Sequence, residues 1–295
     1  MTSRRPLYTL LIVALIVLAA ILFALSQRAP IKIEFVSPLP IPGRMLYIPA
    51  IMRQGVRKCA AVGGALGNAV NELREAGVDC TYTYWPWDGT LPGIDVQQMV
   101  VAPKYGLPYA LSSEWVLGFN EPDLNRDPIT PERAAVEWRL VELANPTRKL
   151  VSPAPSHLHP DWLYKFYNAY LAQFGQPPRL NALAIHCYQD ASVCMAVVNQ
   201  VLNYANAWNV PEVWVTEFAF SEAWSAAYPS GDWRIEADLF IDWARAQKLI
   251  ARLYWWATRY ESDNPEAWWS YGWHTNLLDW DTGMLTERGA YYKEK

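Results

Sequence analysis

Two glutamates interrupt stretches that otherwise belong to a protein core. In VLGFNEPDLN, the residues Val116, Leu117 and Phe119 have the character of a buried strand, which runs into Asn120 and Glu121 before Pro122 breaks it. In VWVTEFAF, Glu217 is the only charged residue. An ionised carboxylate is costly to bury without partners, so each position calls for a structural ion pair or for chemistry. Two carboxylates sharing a small cleft cannot both ionise easily; one pKa rises, and the pair divides into an acid and a base or nucleophile. Cleavage of a glycosidic bond needs that division. A carboxyl separation of about 5–5.5 Å allows direct attack with retention of configuration, whereas about 6.5–9.5 Å admits a water and inverts it.

Such a pair must be held by elements that end at a common mouth. Eight short apolar segments read as strands: Met45–Ile51, Thr81–Trp85, Met99–Ala102, Trp115–Asn120, Leu150–Ala154, Ala182–Tyr188, Val213–Phe218 and Ile250–Ala257. Helical patterns follow most of them, at Val62–Ala76, Pro131–Ala144 behind a Thr130 cap, Pro160–Phe174, Val193–Trp208 and Asp232–Gln247; those after the second and third strands look short or missing. Runs such as AIHCY and LYWWAT are continuously apolar, as strands buried on both faces are. Alternating units of this kind predict an α/β fold, a (β/α)8 barrel with its chemistry at the carboxyl ends of the strands. Glu121 and Glu217 then close strands four and seven.

The chain has 295 residues, 52% hydrophobic and 18% charged, with a net charge of -4 and no cationic run able to track a phosphate backbone. Nucleic acid is therefore not expected as a partner. Leu7–Leu25 is almost wholly apolar and follows Arg4 and Arg5, which marks an export segment of nearly bilayer-spanning length. Residues 1–26 are read as an uncleaved transmembrane anchor, with a cleaved signal as the alternative. Residues 27–43 form a Pro-rich spacer, and residues 44–295 a monomeric extracytoplasmic domain. In that compartment Cys59 with Cys80, and Cys187 with Cys194, are close enough in sequence for two local bridges; four buried free thiols are the other reading. No spacing suggests a metal site, and no cofactor is expected.

The glutamate motifs resemble clan A glycoside hydrolases, and within the clan family 128. The resemblance rests on GFNEPD at 118–123, AAVEW at 134–138, SPAPS at 152–156, HCY at 186–188, WVTEF at 214–218 and LLDWDTGMLTERGAYY at 277–292. It implies a retaining endo-β-1,3-glucanase acting on β-glucan by double displacement. Glu121 would be acid/base and Glu217 nucleophile, with Asn120 on the sugar 2-hydroxyl and His186 and Tyr188 orienting Glu217. Sixteen Trp and seventeen Tyr suit a sugar-stacking groove. Trp85 and Trp87, one of Trp255 and Trp256, and Trp268, Trp269 and Trp273 are candidates for it. Strand alternation lets only one of Trp255 and Trp256 face the mouth. Asp123, Arg259 and Glu261 read as solvated loop charges. Strand three ends MVVAPKYG, without the aromatic residue the family pattern leads one to expect, which leaves the glycan less defined than the reaction. A non-catalytic carbohydrate-binding barrel, or the same chemistry on another β-linkage, are the rival readings.

Overall fold

A computed structural model describes residues 55–62, 69–84, 91–103, 109–124, 128–260 and 274–295. Eight parallel strands close into a barrel in sequence order: β1 (Arg57–Ala60), β2 (Cys80–Thr83), β3 (Asp95–Met99), β4 (Trp115–Leu117), β5 (Lys149–Val151), β6 (Ala182–Cys187), β7 (Glu212–Phe218) and β8 (Ile250–Trp255). β8 pairs with β1 over four residues, from Arg57 opposite Arg252 to Ala60 opposite Trp255. The helices are α1 (Ala69–Glu75), α2 (Pro131–Ala144), α3 (Trp162–Phe174), α4 (Ala191–Trp208), α5 (Trp233–Ala246) and α6 (Glu287–Glu294). The eight-unit reading holds.

The first strand is the correction. It was expected at Met45–Ile51, which lies outside the described residues; the strand that closes the barrel is Arg57–Ala60. Its first half is charged and does not read as core. Arg57 pairs with Asp95 on β3, and the Lys58 amine donates to the carbonyls of Tyr292 (3.1 Å) and Lys293 (2.8 Å). Only Cys59 and Ala60 are buried, which is too short a run to register as a strand. The segments 1–26 and 27–43 also lie outside the described residues, among which no helix is long and apolar enough to cross a membrane.

Local chemistry sets the helix ends. Thr130 Oγ1 accepts from the N–H of Arg133 ahead of Pro131, Asp190 from Val193 at 3.0 Å, and Asp232 from Arg234 at 2.8 Å. Gly175, at φ 66°, ends α3 in the left-handed conformation that a Cβ disfavours. Gly118 is needed for space. A Cβ there would lie 2.5 Å from Pro153 N and 2.8 Å from both Ser152 C and Trp138 Cζ3, so only glycine lets β4 approach β5 and α2 this closely.

Both bridges are formed. Cys59–Cys80 joins register partners on β1 and β2, and Cys187–Cys194 ties the end of β6 to the first turn of α4.

Candidate active site

Glu121 follows β4 at φ 38°, a left-handed conformation that costs a non-glycine residue strain. The backbone is pinned from both sides: Asn120 N donates to Val101 O and Glu121 N to Ala154 O, each at 2.9 Å. These bonds project the side chain into the mouth, where it stays a quarter exposed. Glu217 emerges near the end of β7 and is buried, at 5% exposure.

A bulge aims Glu217. Ile185 pairs with Val215, but His186 pairs with Glu217, so Thr216 is an extra residue on β7. Bulges of this kind re-aim a side chain. Here the result is that His186 and Glu217 sit side by side.

His186 is fully buried between the two carboxylates. Its Nδ1 lies 3.1 Å from Glu121 Oε1 and 3.2 Å from Glu217 Oε2. One carboxylate oxygen from each glutamate and one His186 ring nitrogen all fall within 4.8 Å of one another, the one such group among the described residues spaced to grip a cation. Tyr188, two residues along from His186, donates its hydroxyl to Glu217 Oε2 at 2.5 Å. The hydroxyls of Tyr82 (2.7 Å) and Tyr84 both reach Oε1. Glu217 therefore faces donors on both oxygens.

The environment divides the pair. Burial raises the Glu217 carboxyl; the His186 charge opposes this, Glu121 adds to it, and the Tyr188 and Tyr84 hydroxyls oppose it, for a net rise. At Glu121 burial also pushes upward, but the hydrogen bond and charge of His186, with the charge of His157 behind, outweigh it and the carboxyl is lowered. Burial alone would lower His186; Glu217, Glu121 and Asp123 overcome it and its pKa rises. Burial and then the charge of Glu217 push Tyr82, Tyr84 and Tyr188 well up, so all three remain protonated donors. The split is thus present, but the raised carboxyl is Glu217, the reverse of what an acid at Glu121 suggests. The reason is burial, which dominates at Glu217, whereas at Glu121 the hydrogen bond and charge of His186 outweigh it.

The tryptophan pair resolves. Trp255 points outward and packs on Phe218 (5.3 Å between ring centroids) and Tyr292 (5.2 Å), with its N–H on Thr275 O. Trp256 meets Tyr84 edge-on at 5.9 Å, on the mouth side. Trp85, Trp87, Trp268, Trp269, Trp273 and Glu261 lie outside the described residues. Asp123 is structural: its carboxylate takes the N–H of Ser156 at 2.9 Å and the Ser156 hydroxyl at 2.5 Å. Arg259 pairs with Glu72 and donates to Trp280 O. Sequence reasoning missed Tyr82, Tyr84 and His157. The tyrosines had a signal, since TYTY places two hydroxyls on the same side of β2.

Residues 95–292 match the family described as glycosyl hydrolase catalytic core. The chain belongs to this family. Its fold is also that of solved family 128 hydrolases, in keeping with the resemblance read from the motifs. An endo-β-1,3-glucanase from Amycolatopsis mediterranei in complex with laminaritriose superposes with a TM-score of 0.61 at 19% identity, covering 81% of this chain and 99% of that one. An endo-β-1,3-glucanase from Pseudomonas viridiflava gives 0.60 at 22% identity, covering 81% and 97%. A curdlan-specific exo-β-1,3-glucanase from Blastomyces gilchristii, in complex with glucose, gives 0.58 at 19%, covering 81% and 98%. No curated protein matches the chain significantly. As a glycosyl hydrolase core, the barrel sets its two inward glutamates at the carboxyl-terminal mouth, where enzymes of this architecture work.

Proposed function

We propose that this hydrolase cleaves β-1,3-glucan internally and with retention, using Glu217 as nucleophile and Glu121 as acid/base. The observation that carries the reading is the cluster in which Glu121, His186 and Glu217 lie within 4.8 Å of one another. Carboxylate oxygens this near one another favour the short separation of a retaining pair over the wider one that admits a water. Exposure supports the division of roles. Glu217, deep and gripped by tyrosine hydroxyls, is held for attack on the anomeric carbon, while Glu121 keeps the solvent contact that proton exchange requires.

In the first step Glu121 protonates the departing glycosidic oxygen as Glu217 attacks; in the second it deprotonates the incoming water. The proton for the first step is stored on His186 as the imidazolium, which keeps its Nε2–H and becomes a neutral ring when the Nδ1 proton leaves. A sugar covering the mouth removes solvent from Glu121, favours its neutral form, and draws that proton across the 3.1 Å hydrogen bond. Asn120, adjoining Glu121, is assigned to the sugar 2-hydroxyl. Trp256 and Tyr84 present rings for stacking. The glucan linkage follows the activities of the similar structures, and internal cleavage follows the Amycolatopsis and Pseudomonas examples.

We place this domain, as a monomer, outside the cytoplasm, tethered by the apolar segment near its start. Two disulfides suit an oxidising compartment.

A reducing-sugar assay across β-1,3-, β-1,4- and β-1,6-glucans, with proton spectra of the first-formed products, tests the reading. Turnover of β-1,3-glucan to β-anomers is expected. Turnover of another linkage would reassign the substrate, α-anomers would overturn retention, and binding without turnover would make the chain a carbohydrate-binding barrel.

A further inference from the structure

Between the acid/base on β4 and the nucleophile on β7, the rim is built by the segments after β5 and β6. Two polar side chains meet there. His157 Nε2 lies 3.2 Å from Gln189 Nε2, so the amide donates and the imidazole accepts. This tautomer puts the histidine proton on Nδ1, a buried atom with no hydrogen-bond partner among the described residues. Both residues are anchored to the catalytic pair. Ser156, one residue before His157, is clamped by Asp123, two residues after Glu121. Gln189 directly follows Tyr188, which grips Glu217, and lies inside the loop closed by Cys187–Cys194.

We propose that His157 and Gln189 form the binding site for the leaving-group sugar, and so set which acceptor is held there when the glycosyl-enzyme is resolved. The inference rests on the roles assigned above to Glu121 and Glu217. An acid that protonates the glycosidic oxygen lies on the side of the departing sugar, and the field of Glu121, but not of Glu217, acts on His157. The opposite sector of the rim, from β8 through β1 to β2, carries the apolar rings of Trp256 and Tyr84. Flat rings there suit the sugar under attack, whereas an imidazole and an amide suit the hydroxyls of the sugar being released. Gln189 is exposed on this rim, where its amide offers both a donor and an acceptor to sugar hydroxyls.

The test compares two substrates with the same glycone: a β-1,3-gluco-oligosaccharide and a dinitrophenyl β-glycoside, whose leaving group has no sugar hydroxyls. In His157→Ala and Gln189→Ala, the ratio of kcat/KM on the oligosaccharide to that on the aryl glycoside should fall about tenfold or more. Melting temperatures measured alongside verify folding. With wild-type turnover intact, an unchanged ratio in both variants overturns the assignment. A wild-type protein that cleaves neither substrate overturns the reading of the whole site, and the inference with it.

Discussion

Glu217 is the strand partner of His186, not of Cys187, because Thr216 is passed over in the pairing of β6 with β7. The skipped residue brings an imidazole into contact with both carboxylates at once. His186 Nδ1 then lies within hydrogen-bonding reach of Glu121 and Glu217 alike.

The proton assigned to His186 gives a pH signature. On the proposed roles, activity requires Glu217 ionised and the Glu121–His186 pair protonated. Because Glu217 is raised, the acid limb of kcat/KM lies above the ordinary glutamate value; because His186 is raised, the alkaline limb lies above the ordinary histidine value. In His186→Gln the alkaline limb should move to lower pH, with a loss of about tenfold or more at pH 7. An alkaline limb that stays in place rules out the stored proton.

The two carboxylates should fail differently. Glu217→Gln should be inactive on every substrate. Glu121→Ala should lose most activity on polymer, yet still release an activated aryl leaving group that needs no proton, and azide should speed the second step. If neither aryl release nor azide rescue is seen in Glu121→Ala, the assignment of roles fails.

Removing a hydroxyl from Glu217 takes away a donor to its charged form. Tyr188→Phe and Tyr82→Phe should each lower kcat/KM about tenfold, roughly 1.4 kcal/mol, and shift the acid limb upward. A downward shift in the acid limb would mean the tyrosines do not stabilise the carboxylate.

Gly118 supports the site from behind. Gly118→Ala drives a Cβ into the backbone of Ser152 and Pro153 and should destabilise the fold by about 2–3 kcal/mol. Calorimetry should show a melting temperature lower by roughly 4–12 °C. No change would mean β4 and β5 separate freely.

Chelation should leave activity intact, since the proposed steps use only protons and carboxylates. Added zinc should inhibit, because it competes for the cluster of Glu121, His186 and Glu217. Loss of activity with EDTA, restored by a cation, would give the cluster a different role.

The barrel was legible because its later strands are buried on both faces and read as unbroken apolar runs; β6 is buried at all six positions. β1 was not legible, since half of it carries charges that answer partners distant in sequence. Both glutamates stood out as lone charges in core segments. The tyrosines around Glu217 did not. A phenol looks the same in a sequence whether its hydroxyl meets solvent or a carboxylate 135 positions away. His157 was hidden for a similar reason, as its placement depends on the clasp between Asp123 and Ser156.

The positive φ of Glu121 sets activity against durability. The backbone there favours glycine or asparagine, so exchanging the acid for either residue relieves strain that the working residue must bear. On the roles proposed above, such a change would silence turnover while tightening the fold. In this barrel, then, the slide from hydrolase to sugar-binding relic would run toward greater stability, with selection for turnover holding the glutamate in place.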